Sequence, residues 1–336
     1  MSNHNLQQIQ LITEAIDINE KKEILVNGQI AFSTASDPYM QTPSGKILFD
    51  ALHTLIYRKF YIQPCEPLSE TEPTETELLE NIALLSRANT STVGFDEGWV
   101  MENNDANESL IACKGKNRIQ LKPGEFLNVP PDSERKKNSK EVKIYRPKEY
   151  AAVHEAFYYA YGNSIHDSDD DFVVRFYFNA SFTGNVKLMN LVTGFLNENE
   201  MQFIFKCLIH PFYYGRADTS VLYVHKQYAG FVCDHLTKIY PDIEDFLRDD
   251  LPLFVYRIEK GIGFAEQPSG SVDESFGTHW CKIIAAGIMN AFENNLEKDT
   301  WYGEILKHIQ DDYGYSDHFN FYRNPKSYYP YSFINT

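Results

Sequence analysis

Residues 206–224 read KCLIHPFYYGRADTSVLYV, and their reading decides how the second half of the chain is built. The two ends are rich in β-branched and aromatic residues and read as strands. Pro211 and Gly215 punctuate the connection between them. This strand-turn-strand carries Lys206, His210, Tyr213, Tyr214, Arg216 and Asp218 close together, in a chain whose formal net charge is −16. Two readings compete: a site for an anion such as phosphate, or an ordinary sheet with a buried Arg-x-Asp ion pair.

Outward from this stretch, strands alternate with helices. EYAAVHEAFYYAY (149–161) reads as a helix and DFVVRFYFN as a strand. VKLMNLVTGFLNEN reads as a helix, MQFIFKCLI as a strand, YAGFVCDHLTKIYP as a helix and PLFVYRIEK as a strand. FGTHWCKIIAAGIMNAFENN is a clear helix, and WYGEILKHIQ a last one before an aromatic, irregular tail. That order points to a sheet covered by helices. In the first half, apolar spacing at Leu6, Ile9, Ile12 and Ile16 predicts a helix over 6–18. Asn27-Gly28 between two apolar runs predicts a hairpin. ILFDALHTLIYRKFY (47–61) predicts a buried amphipathic helix, and a further helix is expected at about 75–88. Residues 94–147, short alternating runs broken by Gly, Asn and Pro, predict a β-meander. The expected class is therefore α+β: mixed sheets flanked by helices, with an N-terminal helical and β-meander part. The expected divisions are 1–148, with a peptide-recognition role, a mixed core over 149–298, and a C-terminal helix and tail over 299–336.

The 336 residues are 43% hydrophobic and 23% charged, which are globular values. The acidic balance argues against general nucleic-acid binding and against an anionic membrane surface. Twenty-two Tyr and 23 Phe suit grooves where amphipathic rings meet a peptide or ligand. The five cysteines lack CxxC spacing and read as buried free thiols. MSNHNLQQIQ shows no signal-peptide pattern and no apolar run reaches membrane-spanning length, so a soluble, cytoplasmic protein is expected.

Familiar catalytic motifs are missing. TPSGK (42–46) lacks phosphate-loop spacing, and HEAFYY is not HExxH. DSDDD (167–171) lacks the glycine and the terminal glutamate of a calcium loop and reads as a solvated acidic turn. No metal site and no cofactor is expected. What remains is a set of cations at strand ends and one helix start: Arg175, Lys206, Arg216, Arg257, Lys260 and His279, with Ser275 opening the helix. Arginines can grip a phosphate bidentately, and a helix N-terminus is an anion site. Each cation taken alone also fits a structural salt bridge.

VRFYFN (174–179), FIFKCLIHPFYYGRADTSVLYV (203–224), PLFVYRIEKGIGFAEQPSG (252–270) and ESFGTHWCKIIAAGI (274–288) carry a resemblance. With weaker N-terminal blocks, the chain resembles the HopA-type effector family over roughly residues 45–295. That family takes its name from a type III effector of plant-pathogenic bacteria. It also includes lyases encoded beside peptide natural-product precursors, such as those of class V lanthipeptide and thioamitide pathways. The resemblance implies a lyase acting on phosphoserine or phosphothreonine in a ribosomal precursor peptide phosphorylated by a partner kinase. The products would be dehydroalanine or dehydrobutyrine. It implies Lys206 as the base with Tyr214 as its partner, and Arg175 and Arg216 as the phosphate clamp. Asp218 would orient Arg216, and His279 would act as acid or phosphate donor. The pattern departs at Tyr256, where lyase members commonly carry a lysine, and at Trp280, where a basic residue is common. Arg257 or Lys260 would compensate for the first change. The alternative implied function is a noncatalytic effector or scaffold, secreted into a host in the effector case.

Overall fold

The structure, a computed structural model, describes residues 2–34, 44–66, 69–102, 110–115, 117–130, 140–164, 173–268, 274–313, 321–324 and 329–334. The acidic stretch 167–171 lies outside these residues.

Helix α1 (Ser2–Ala15) leads into a three-stranded sheet of β1 (Ile16–Ile18), β2 (Ile24–Val26) and β3 (Gln29–Phe32). The β2–β3 turn has Asn27 at φ 51° and Gly28 at φ 76°, the left-handed pair that the Asn-Gly dipeptide favours. Helix α2 (Gly45–Ile56) is capped by Ser44 and runs on into a π-helical turn, Tyr57–Tyr61. Helix α3 (Glu75–Ala88) opens with a capping box of Thr74 and Glu77. The expected meander is a five-stranded antiparallel sheet of β4 (Gly94–Met101), β5 (Leu110–Lys114), β6 (Asn117–Leu121), β7 (Phe126–Asn128) and β8 (Glu141–Arg146). Its small core is its own: Trp99, Ala112, Leu121 and Val142.

The remaining elements are β9 (Glu149–Ala152), β10 (Phe157–Tyr161), β11 (Val173–Phe178), α4 (Phe182–Glu198), β12 (Phe203–Leu208) and β13 (Ser220–His225), then α5 (Ala229–Ile243), β14 (Tyr256–Glu259), β15 (Ile262–Glu266), α6 (Phe276–Glu293) and α7 (Trp301–Tyr313). Their strands form one antiparallel sheet in the order β14-β15-β11-β13-β12-β10-β9. The class is α+β, as expected. Helices α4 and α5 cover one face, and α2, α6 and α7 pack together on the other. One large core runs from Ile9 to Ile334, so α1, α2, α3 and the tail all contribute to it.

Two expectations need correction. Residues 149–161 are not a helix but the hairpin β9–β10, with Ala156 at φ 62° between the strands. The sequence offers helix-like apolar spacing, but Tyr158 and Ala160 are fully buried while Phe157, Tyr159 and Tyr161 are not. That period of two matches a strand, and pairing with β12 overrides local propensity. The strand expected at PLFVYRIEK starts only at Tyr256. Before it, buried Phe254 sits at φ 70°, wedged between the rings of Trp280 and Phe321.

Candidate functional site

Strand register assembles the site. Arg175 lies opposite Tyr223, which lies opposite Ile204. One step along, Tyr177 pairs with Val221, Val221 with Lys206, and Lys206 with Tyr159. Side chains two apart on a strand share a face, so Arg175, Tyr177, Tyr223, Lys206, Tyr159 and Phe157 stand on the same side of the sheet. This is the face that α6 covers in part, where Phe276 meets Tyr177.

Aromatic rings link the cations. The Lys206 ammonium lies 4.7 Å from the Phe157 ring centre and 5.7 Å from that of Tyr223. The Arg175 guanidinium lies 5.3 Å from the same Tyr223 ring. The Arg216 guanidinium lies 6.0 Å from Phe157 and 5.9 Å from Tyr57. Three cations thus converge on two shared rings. Each contact adds a modest attraction, of order 0.5–2 kcal/mol, and none neutralises charge.

The charge balance differs between them. Arg216 is forked onto Asp218, with Nη2 to Oδ2 at 2.7 Å, and donates to the Tyr57 hydroxyl at 3.0 Å. Arg175 is only 6% exposed, yet its Nε and Nη1 are buried without a hydrogen-bond partner among the described residues. A buried guanidinium left in that state is costly unless an anion completes it. Lys206 likewise has no carboxylate partner among the described residues.

His279 enters from the first turns of α6, where Ser275 caps the helix by accepting from the Thr278 amide at 3.1 Å. Its Nδ1 lies 3.4 Å from Glu274, which also holds Lys282 at 2.6 Å. Burial lowers the His279 pKa, opposed by Glu274 and assisted by Lys282 and Arg175, so the imidazole is held toward its neutral form. The same α6 turn is seated on Tyr61: a Cβ on Gly277 would meet that ring at 2.2 Å, so only glycine allows this approach.

The loop bearing Arg216 is clamped from three sides. Arg248 donates to the carbonyls of Tyr214 and Arg216 at 2.9 and 3.0 Å. The Ala217 amide bonds Ile62 at 2.7 Å, and the Cys65 amide bonds Gly215 at 3.2 Å.

Of the residues singled out from sequence, Lys206, Arg175, Arg216, Asp218 and His279 gather around this face. Tyr214 does not. It is fully buried on the α4 side, donating to the Leu208 carbonyl at 2.9 Å and accepting from Asn185 at 2.8 Å. The short 3-10 turn Pro211–Tyr213 turns its side chain into the core, so it is no partner for Lys206. Ser275 is the helix cap. Arg257 is committed to Asp249 on the edge strand, and Lys260 sits beside it in the exposed β14–β15 turn. Tyr256 pairs with Phe264 and so lies on the face opposite Arg175, against Tyr322. The departure from the family pattern at that position therefore falls outside the cationic face. Trp280 is fully buried among Phe254, Phe276 and Phe321.

Sequence reading missed Tyr57, Phe157, Tyr177, Tyr223 and Arg248. The alternation in VVRFYF and VLYVH could have placed Tyr177 and Tyr223 beside Arg175. Nothing local marks Tyr57 or Arg248. Among the described residues, no three His, Cys, Asp or Glu side chains approach closely enough to hold a metal, and no helix is long and apolar enough to cross a membrane.

Fold and site together define an α+β protein with an antiparallel sheet, one face of which presents cations framed by aromatic rings. Residues 149–314 match the model of the HopA1 effector protein family. Two solved effector proteins of Pseudomonas syringae are similar to this chain, and the first shares its fold. That of pathovar tomato strain DC3000 is 12% identical, with a TM-score of 0.50 over 96% of this chain and 98% of its own. That of pathovar syringae strain 61 is 14% identical, with a TM-score of 0.48 over 96% and 99%. No curated protein matches the chain.

Proposed function

We propose that this chain is a metal-independent phosphoserine/phosphothreonine lyase acting on a ribosomal precursor peptide that a partner kinase has phosphorylated. The observation that carries the reading is Arg175: a buried guanidinium with two nitrogens that have no hydrogen-bond partner among the described residues, beside Lys206 and His279. A phosphate dianion would complete it with charge-assisted bonds.

The chemistry follows from the neighbours. The Lys206 amine takes the α-proton of the phosphorylated residue. The electron pair forms the Cα–Cβ double bond as the Cβ–O bond breaks. Phosphate leaves with a proton from His279, and solvent restores both groups. Free His279 is held neutral by burial, but a dianion bound beside it favours the imidazolium, so the substrate itself recruits the acid's proton. Arg216, held by Asp218 and Tyr57, orients the phosphate from the far side of Phe157.

A binding-only reading, as an effector or scaffold, draws on one specific observation: Arg216 already has its charge matched by Asp218. One experiment separates the two. Incubation with a phosphoserine peptide should remove phosphoric acid from the peptide, read by mass spectrometry, and Lys206→Ala should abolish that loss. Intact peptide that nonetheless binds would favour the second reading.

A further inference from the structure

Adjoining the cationic face, a cavity of about 360 Å³ is lined by His53, Thr54, Tyr57, Arg58, Ile62, Arg216 and Thr278. Positions 53, 54, 57 and 58 recur at helical spacing, so one side of the α2 terminus supplies most of a wall. The helix there widens into its π-helical turn, closed by the Ile62 amide on the Tyr57 carbonyl at 3.2 Å. π-turns inside helices occur frequently at functional sites. Thr278, from the first turn of α6, faces this wall.

The lining is a donor set. Two arginines, an imidazole and three hydroxyls line the space, in a chain of net charge −16. The acids nearby are accounted for. Asp218 is taken up by Arg216, and Asp50, 56% exposed, stands 3.5 Å from His53 on the preceding turn. Arg58 has no ion pair or hydrogen bond among the described residues, and it is exposed to the cavity and solvent. Arg216 and Tyr57 belong to both places: Arg216 touches Phe157 of the cationic face and also lines this cavity. A chain bound at the first site would therefore pass a second cationic space.

We propose that this cavity is a second anion subsite, which holds an additional phosphoryl or carboxylate group of the same peptide. The inference rests on the proposed phosphopeptide substrate. Its size suits one side chain, and its paired arginine and imidazole suit an anion rather than an apolar group.

The test is calorimetric titration with three peptide series. All carry one phosphoserine, and a neighbouring position, scanned along the sequence, is alanine, glutamate or a second phosphoserine. Wild-type protein should bind the best-spaced doubly anionic peptides about tenfold tighter than the alanine series, a difference of about 1.4 kcal/mol. Arg58→Ala should erase that gain and leave the alanine series unchanged, whereas Lys59→Ala should keep it. A gain with both anions marks a general anion subsite, and a gain with phosphoserine alone marks a phosphoryl one. Equal affinity for all three series at every spacing overturns the subsite while leaving the phosphopeptide reading intact. So does an equal loss for all series in Arg58→Ala. Failure of the wild type to bind any series overturns the phosphopeptide reading itself.

Discussion

The two faces of the seven-stranded sheet are built from the same strands yet solve opposite problems. On the α4–α5 face the polar groups around Asn185 are answered. Asn185 donates to the Tyr214 hydroxyl at 2.8 Å and accepts from Ser220 at 2.6 Å, and Thr219 closes onto the Phe178 and Ala180 carbonyls. Around this network pack Phe176, Phe178, Phe205 and Leu222, all fully buried. On the other face Arg175 is nearly as buried but leaves two nitrogens without partners among the described residues, and Lys206 faces rings rather than carboxylates there. Satisfied burial is what stability selects. Unsatisfied burial of a cation persists where a ligand supplies the missing half.

The contrast can be broken most forcefully from the core face. Leu222→Ala should lower unfolding free energy by about 2–5 kcal/mol in a denaturant titration, with phosphopeptide affinity unchanged for the folded fraction. If affinity fell in step with stability, the faces would not be separable. Next in size is Asp218→Asn, which leaves the Arg216 charge without its partner. A loss of about 2–3 kcal/mol is expected, below that of a fully buried pair because Arg216 keeps 22% of its side-chain surface exposed. Arg175→Met should do the reverse of Leu222→Ala. Stability should hold or rise, because an uncompensated buried charge is removed, while phosphopeptide binding weakens roughly 10- to 100-fold. A clear drop in stability would mean that Arg175 is a structural residue.

The smallest effect is in the acid limb of stability. The folded His279 pKa lies below its ordinary value of 6.5, so between that lowered value and 6.5 the unfolded state binds more protons. His279 stability is therefore fully present above about pH 6.5 and lost as pH falls toward the folded pKa. His279→Gln should flatten that slope in denaturant titrations between neutral and mildly acidic pH. Bound phosphopeptide should move the His279 titration upward in proton NMR; a downward or absent movement would remove it as the acid.

Much of the fold was legible because it rests on local chemistry. The Asn27-Gly28 turn, the Ser275 cap and the β-propensity of VVRFYF each appear in a few consecutive residues. The hairpin at 149–161 was not legible, since EYAAVHEAFYYAY satisfies helical spacing as well as alternation, and only pairing with β12 decides between them. That ambiguity hid Phe157, the ring between Lys206 and Arg216. Tyr214 shows the converse. It sits two residues from Arg216 in sequence, yet a short 3-10 turn sends it into the core.

The sequence alone determined which residues bring charge to the sheet: Arg175, Lys206, Arg216, Asp218 and His279 stand at positions readable from strand and helix boundaries. It also determined the α+β class, because hydrophobic period and turn chemistry act over short distances. Only the tertiary structure decided which of those charges are answered. Partnership between Arg216 and Asp218, the two nitrogens of Arg175 without a partner among the described residues, and the cavity shared by Arg58 and Thr278 all depend on groups far apart in the chain. Their meeting is set by sheet register and helix packing, which no local pattern encodes.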